Sequence, residues 1–243
     1  MGSRLQVLLV VQLLFLSSCS PEPVFRLAPE QGPTTFYKGV EYLTLEQDSI
    51  GITLAYYRHS GDMFAMDIEV ANYSNTPVRV NPANFGAIAM GAYADSAFTD
   101  FITHNWAYDP EIQLLEIDKM ISKNKASQKT EDALFLTSVG LGVTAALLSD
   151  SEEEGNEVIE EIEYEYVEYE IRQDNYEYAL MNLEQRREIW ELETLRITDL
   201  HPGDYVRGLV FFKNVKEAAG YKFELNIEDS SFIAWYLQRK IKP

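Results

Sequence analysis

From Ile50 onward apolar and polar positions alternate with a period of two. Ile52, Leu54 and Tyr56 share one face, Arg58-His59-Ser60-Gly61-Asp62 interrupts, and Phe64, Met66, Ile68 and Val70 then alternate with Ala65, Asp67, Glu69 and Ala71. That spacing predicts a hairpin with one face buried and one wet. Asn72-Tyr73-Ser74-Asn75-Thr76-Pro77 is a cluster of turn formers, Val78-Arg79-Val80 a short strand, and Asn81-Pro82 a further break. The same grammar returns only near the other end. Leu195 and Ile197 alternate with Arg196 and Thr198, His201-Pro202-Gly203-Asp204 makes a turn, and Val206, Gly208, Val210 and Phe212 continue beyond it. Phe223, Leu225 and Ile227 form another run, and Phe232 to Leu237 a last one. About seven to nine short strands divided by turn signals predict an antiparallel β-sandwich. It is written in two halves, residues 36–105 and 192–243.

Between the halves the period changes. Asp109-Pro110-Glu111 combines an N-cap side chain, a proline at the first helical position and a carboxylate in the first turn, so a helix is expected to start there. Leu114, Ile117 and Ile121 mark a narrow apolar stripe, and residues 133–149 (ALFLTSVGLGVTAALLS) are apolar or small throughout. Neither Gly nor Pro occurs from Asn156 to Leu200, and Ile162, Tyr166, Tyr169, Tyr176, Leu180 and Leu183 fit a heptad stripe, which predicts a return helix. Ile162, Tyr164 and Tyr166 also alternate with glutamates, so 162–171 is open to a strand reading. Residues 106–191 are thus a helical insertion, and the fold class is α+β.

The apolar run 133–149 would be about 25 Å long as a helix, at the lower edge of what spans a bilayer. Ser138, Gly142 and Ala146 fall four apart, the spacing that lets helices approach closely. The run is read as a helix buried against the return helix or a partner, with membrane contact and an exposed assembly surface as alternatives. Directly after it the chain is acidic: Asp150 and ten glutamates fall within residues 150–170, with no basic residue among them. Such density stays solvated or faces a basic partner. Leu141 and Leu148 on the run and Glu152, Glu153, Glu154 and Glu157 on the tract are therefore candidate partner-binding residues. Asp150, Glu152, Glu154, Gly155 and Glu161 also fall at positions 1, 3, 5, 6 and 12 of an EF-hand-like register. Glutamate stands where shorter Asp or Asn is usual, and a solvated connector with no metal is the default.

Composition narrows the class. The chain has 243 residues, 39 acidic and 20 basic, for a formal charge of −19, with 46% hydrophobic residues. It can build a core, and it lacks the basic patch that phosphate backbones require, so nucleic acid is not expected as a partner. His59 and His201 sit in turn-forming contexts, and His104 has no helix-spaced second ligand. No phosphate loop, nucleophile elbow or nucleotide fingerprint is present, so neither a catalytic residue nor a cofactor is assigned.

Met1-Gly2-Ser3-Arg4 followed by the mostly apolar Leu5 to Leu16 reads as a secretion signal, too short to span a bilayer. It ends in Leu16-Ser17-Ser18-Cys19, which resembles the lipobox of bacterial lipoproteins. The resemblance implies that Cys19, the sole cysteine, is acylated and becomes the first residue of a membrane-tethered chain. Residues 19–35 hold Pro21, Pro23, Pro29 and Pro33 and read as a tether, with folding expected from about Phe36. Farther on, AMDIEVANYSNTPVRVNPANF and LHPGDYVRGLVFFK resemble the immunoglobulin-like, telokin-type modules of bacterial envelope lipoproteins, and Asp48-Ser49-Ile50 resembles a glycosylation tripeptide of Bacteroidota. The matching positions are Asn72, Pro82, Phe85, Pro202, Gly203 and Gly208. The resemblance implies an immunoglobulin-like sandwich without catalysis, and Ser20 directly after Cys19, by resemblance to enteric lipoprotein sorting, implies the outer membrane.

Together these features imply a non-catalytic, lipid-anchored envelope protein that serves a protein partner as a binding or accessory subunit. An envelope hydrolase with scattered carboxylates and a structural or adhesion surface subunit are the alternatives.

Overall fold

The computed structural model describes residues 24–93, 96–148 and 152–241. They form two compact units, one made by the chain up to Ala107 together with Thr198 onward, the other by Tyr108–Ile197.

The first unit contains every strand among the described residues: β1 (Val24–Pro29), β2 (Thr34–Tyr37), β3 (Val40–Gln47), β4 (Ile50–Ser60), β5 (Met63–Asn72), β6 (Val78–Val80), β7 (Phe85–Tyr93), β8 (Ser96–Trp106), β9 (Thr198–Leu200), β10 (Tyr205–Lys213), β11 (Gly220–Ile227) and β12 (Ser230–Ile241). Two five-stranded antiparallel sheets result, in the orders β1-β12-β11-β7-β8 and β10-β5-β4-β3-β2, with β6 and β9 paired separately. The period-two runs explain the layering. Ile52, Leu54, Met66, Ile68 and Val70 are fully buried, as are Phe85, Phe223, Leu225 and Tyr236 from the other sheet. Phe64 meets Tyr221 and Phe223 with ring centres 4.8 and 6.1 Å apart, and the Tyr236 hydroxyl donates to the Leu54 carbonyl at 3.0 Å. These contacts join the two sheets through one aromatic core.

The N-terminal stretch departs from the tether reading. Val24–Pro29 is a strand that pairs along its whole length with β12, and Leu27 is buried. Its prolines do not prevent this, because Pro29 closes an edge strand and Pro33 lies in the turn before β2, where its carbonyl accepts from the Thr44 amide at 3.2 Å. Pro21 and Pro23 lie outside the described residues.

The second unit is a helical hairpin: α1 (Pro110–Leu147), α2 (Glu152–Glu188) and a π-helical turn, Ile189–Glu193. Asp109 caps α1 as expected, its Oδ1 accepting from the Glu111 amide at 2.9 Å. Residues 162–171 are helical, not a strand. Tyr169 and Gln173, one turn apart, both donate to Asp132 Oδ1 at 2.8 Å, a pairing that requires helical spacing. The unit also reaches beyond the expected boundary at residue 191. Leu195, read as the start of a strand, is buried in the segment after the π turn, where the Thr194 hydroxyl donates to the Ile189 carbonyl. No helix among the described residues is long and apolar enough to cross a membrane.

Candidate functional site

At one end of the sheet unit lies an open cleft of about 1070 Å³ whose walls include Phe25, Phe36, Glu41, Tyr56, Arg58, His59 and Lys216. The β1–β12 ladder sets Arg26 directly opposite Arg239, and both residues line the cleft. Like charges directly opposite in an antiparallel pair are destabilising. A register shift between Tyr56 and Arg58, the mark of a bulge, re-aims the end of β4 so that consecutive residues 56–59 all reach the cleft wall. Arg58 lies over the Tyr57 ring, 5.3 Å from its centre. Glu41 is the one carboxylate among the lining residues, against four cations. None of those cations makes an ion pair among the described residues.

In the cleft wall, the Tyr56 hydroxyl lies 2.6 Å from His59 Nδ1 and donates to the Phe25 carbonyl at 3.1 Å. A phenol has one proton, so this donation makes His59 Nδ1–H the donor to the Tyr56 oxygen. Burial pushes the His59 imidazole below its ordinary value, opposed by the Asn214 side chain and the Phe25 carbonyl. Burial pushes the Tyr56 phenol up, opposed by Arg26. Four cations against a single carboxylate among the lining residues suit recognition of an anion.

Periodicity gave no sign of this cleft. Its cations stand singly at positions 26, 58, 216 and 239, and His59 reads as a turn residue in the sequence. In the fold His59 is the next-to-last residue of β4, while Asp62 follows in the turn. The His201–Asp204 turn behaves as turn chemistry: the His201 amide donates to Asp204 Oδ2 at 3.2 Å. His104 packs on Trp106 and occupies the space over Gly86, where a Cβ would come within 2.3 Å of its Nε2.

On the hairpin, the seam between helices is polar and aromatic. Gln128 donates to Gln173 at 2.7 Å, Phe135 stacks on Tyr169 at 4.0 Å, and Gly142 lies beneath Ile162, where a Cβ would come within 2.9 Å of Cδ1. The apolar run is not buried as its composition suggested. Leu141 is 68% exposed and Leu148 77%, and Leu134, Leu136 and Val143 are exposed with them. Two helices share a single seam, and a run that is apolar all round leaves most of its circumference uncovered.

Glu152, Glu153, Glu154, Glu157 and Glu161 all belong to α2. Continuous helix therefore occupies the place of most of the twelve-residue calcium loop, and Asp150 lies outside the described residues. Among those residues no group of three His, Cys, Asp or Glu side chains is placed to hold a metal. Cys19 also lies outside them. No family model, curated protein or solved structure matches the chain.

Proposed function

We propose that this chain is a non-catalytic, lipid-anchored envelope protein in which the sheet unit is a rigid carrier and the helical hairpin docks a protein partner. One observation carries the reading. Between Ile117 and Trp190 no described side chain is fully buried, although this stretch includes Leu134, Leu136, Leu141, Val143, Leu148, Tyr164, Val167 and Ile171, all exposed. Apolar exposure on this scale supports a surface that a partner covers, with Leu134, Leu141 and Leu148 aligned on one side of α1 by their spacing of seven. The acidic first half of α2 beside it supports a basic complement, which would raise association rate more than affinity. Stacked antiparallel sheets and the Asn72 and Pro202-Gly203 turns support an immunoglobulin-like carrier, and the lipobox supports Cys19 as anchor, with outer-membrane placement an expectation of that resemblance.

The test is a photo-crosslinkable residue at position 141 or 148 of the full chain in cells, with position 213 on β10 as control. A reproducible protein adduct at 141 and 148, absent at 213 and lost on Leu141→Gln with Leu148→Gln, is expected. Equal labelling at all three positions overturns the docking role. Replacing Cys19 with Ala should release the signal-cleaved protein from the membrane fraction, and retention there would reject the lipid tether.

A further inference from the structure

We propose that the cleft of the sheet unit seats the phosphate headgroup of an anionic phospholipid, in the bilayer that carries the anchor. The step rests on the proposed anchor for its location; the cleft's charge and shape do not depend on it.

Charge is the first argument. In a chain of net charge −19, Arg26, Arg58, Lys216 and Arg239 converge on one concavity that has Glu41 as its lone acid among the described residues. The register places Arg26 against Arg239, a cross-strand repulsion that an anion seated between the two guanidinium groups relieves. Their planar forks suit phosphate oxygens better than a diffuse attraction would require.

The rim is the second. Phe36 is 71% exposed and Tyr57 51%, both at the cleft edge. Aromatic rings beside cations are the chemistry of a membrane interface, where one end of the side chain is wet and the other apolar. A soluble phosphate would use the cations and leave these rings unexplained.

Position is the third. Four residues separate Cys19 from Val24, the first residue of β1, and the five steps between them span at most about 18 Å when fully extended. Phe25 and Arg26 follow at once. An acylated Cys19 would therefore hold this end of the sheet unit within reach of the headgroups, where each Lys or Arg near an anionic surface contributes about a fivefold gain in partitioning.

The experiment uses the unacylated chain from Ser20 onward, which keeps every described residue, in co-sedimentation with vesicles of phosphatidylcholine alone or with about a third phosphatidylglycerol, a proportion chosen to give a strong surface potential. Binding to the anionic vesicles only is expected, weakening with salt. Arg26→Gln, Arg58→Gln and Arg239→Gln together should lower it more than tenfold, whereas Lys119→Gln, Lys123→Gln and Lys129→Gln on α1 remove the same charge and should leave it unchanged. Should the triple cleft variant lose its thermal transition, Arg58→Gln alone is expected to lower binding about fivefold. Tyr57→Ser should weaken binding at high salt as well. Equal affinity for both vesicle types, or equal loss in the α1 variant, overturns the proposal. So does saturable binding of glycerol phosphate with no vesicle binding, which would make the cleft a site for a soluble anion. Acylation of Cys19, read by mass spectrometry of the cell-derived protein, is a separate outcome, so failure of the anchor and failure of the cleft are told apart.

Discussion

The amide of Gly203 donates to the carbonyl of Asn72 at 2.8 Å, joining the end of β5 to a turn that follows the whole helical unit in sequence. Asn72 is buried, and its side chain completes the junction. Nδ2 donates to the carbonyls of Thr76 at 2.8 Å and Leu200 at 3.0 Å, while Oδ1 accepts from the Ser74 amide and hydroxyl. The Asn72 amide donates to the Asp204 carbonyl at 2.9 Å. Gly203 has φ of 87°, a conformation that a side chain would strain. One asparagine thus fixes two turns and binds the two halves of the sheet unit.

Replacing Asn72 with Ala should cost about 2–4 kcal/mol, since several buried partners lose their bonds at once. Asn72→Asp should be at least as damaging, because a carboxylate oxygen in place of Nδ2 would then face the Thr76 and Leu200 carbonyls. Urea denaturation measures both. A loss below about 1 kcal/mol in either variant would show that water replaces the side chain there.

The two turns of this junction were legible in the sequence, though not their joining, and the reason is chemical. Asn, Pro and Gly at turns have specific backbone roles, so Asn72 and Pro202-Gly203 announce themselves without tertiary context. Alternation likewise marked β4, β5, β10 and β11, because burial on one face writes a period of two. The rest depends on what covers what. β1 was hidden by Pro29 and the prolines around it, and an edge strand tolerates a proline at its end. The cleft was hidden because Arg26, Arg58, Lys216 and Arg239 are adjacent only after the β1–β12 ladder and the β4 bulge form. The exposure of Leu141 and Leu148 was invisible because an apolar run reads the same whether its cover lies in the chain or in a partner.

Phe64, Phe212, Tyr221, Phe223 and Tyr236 all belong to the sheet unit, and their rings pack on one another. Replacing residues 108–197 with a short Gly/Ser linker should therefore leave a β-rich protein with a cooperative thermal transition. Loop-closure entropy changes slowly with length, so the topology tolerates the exchange. A featureless melt of the deleted protein, read by circular dichroism, would mean that the halves depend on the helices.

Two phenols in that core make the sheet unit sensitive to alkali. Burial pushes Tyr221 up to about 12 and Tyr236 higher still, from an ordinary value of 10.0. The unfolded chain thus releases these protons first. Their contribution to stability is complete below about pH 9 and falls as pH rises through 10 toward 12, by up to about 1.4 kcal/mol per pH unit for each phenol. Tyr236→Phe should flatten this decline while costing roughly 1 kcal/mol at neutral pH through the lost bond to Leu54. Denaturation midpoints of both proteins between pH 8 and 12 provide the comparison, and identical slopes would refute the assignment to Tyr236.

The acidic tract offers the sharpest division between a docking hairpin and a solvated connector. Glu157 is exposed on α2, and Glu152, Glu153 and Glu154 stand in its first turn, where the positive end of the helix dipole favours them. Changing all four to Gln removes that stabilisation, worth about 0.3–1 kcal/mol per residue, and also removes mutual repulsion of similar size, so the thermal transition should move little. The effect on partner capture should be larger and dependent on salt. Exposed charges act over a screening length of about 10 Å at 0.1 M salt and about 3 Å at 1 M, so crosslinking at position 141 should fall in the variant at low salt and match the unmodified protein at high salt. Leu141→Gln with Leu148→Gln should show the opposite signature, a loss at every salt concentration, because apolar burial is not screened. If the charge variant captures its partner as well as the unmodified protein throughout, the glutamates solvate the hairpin and the apolar face alone does the docking.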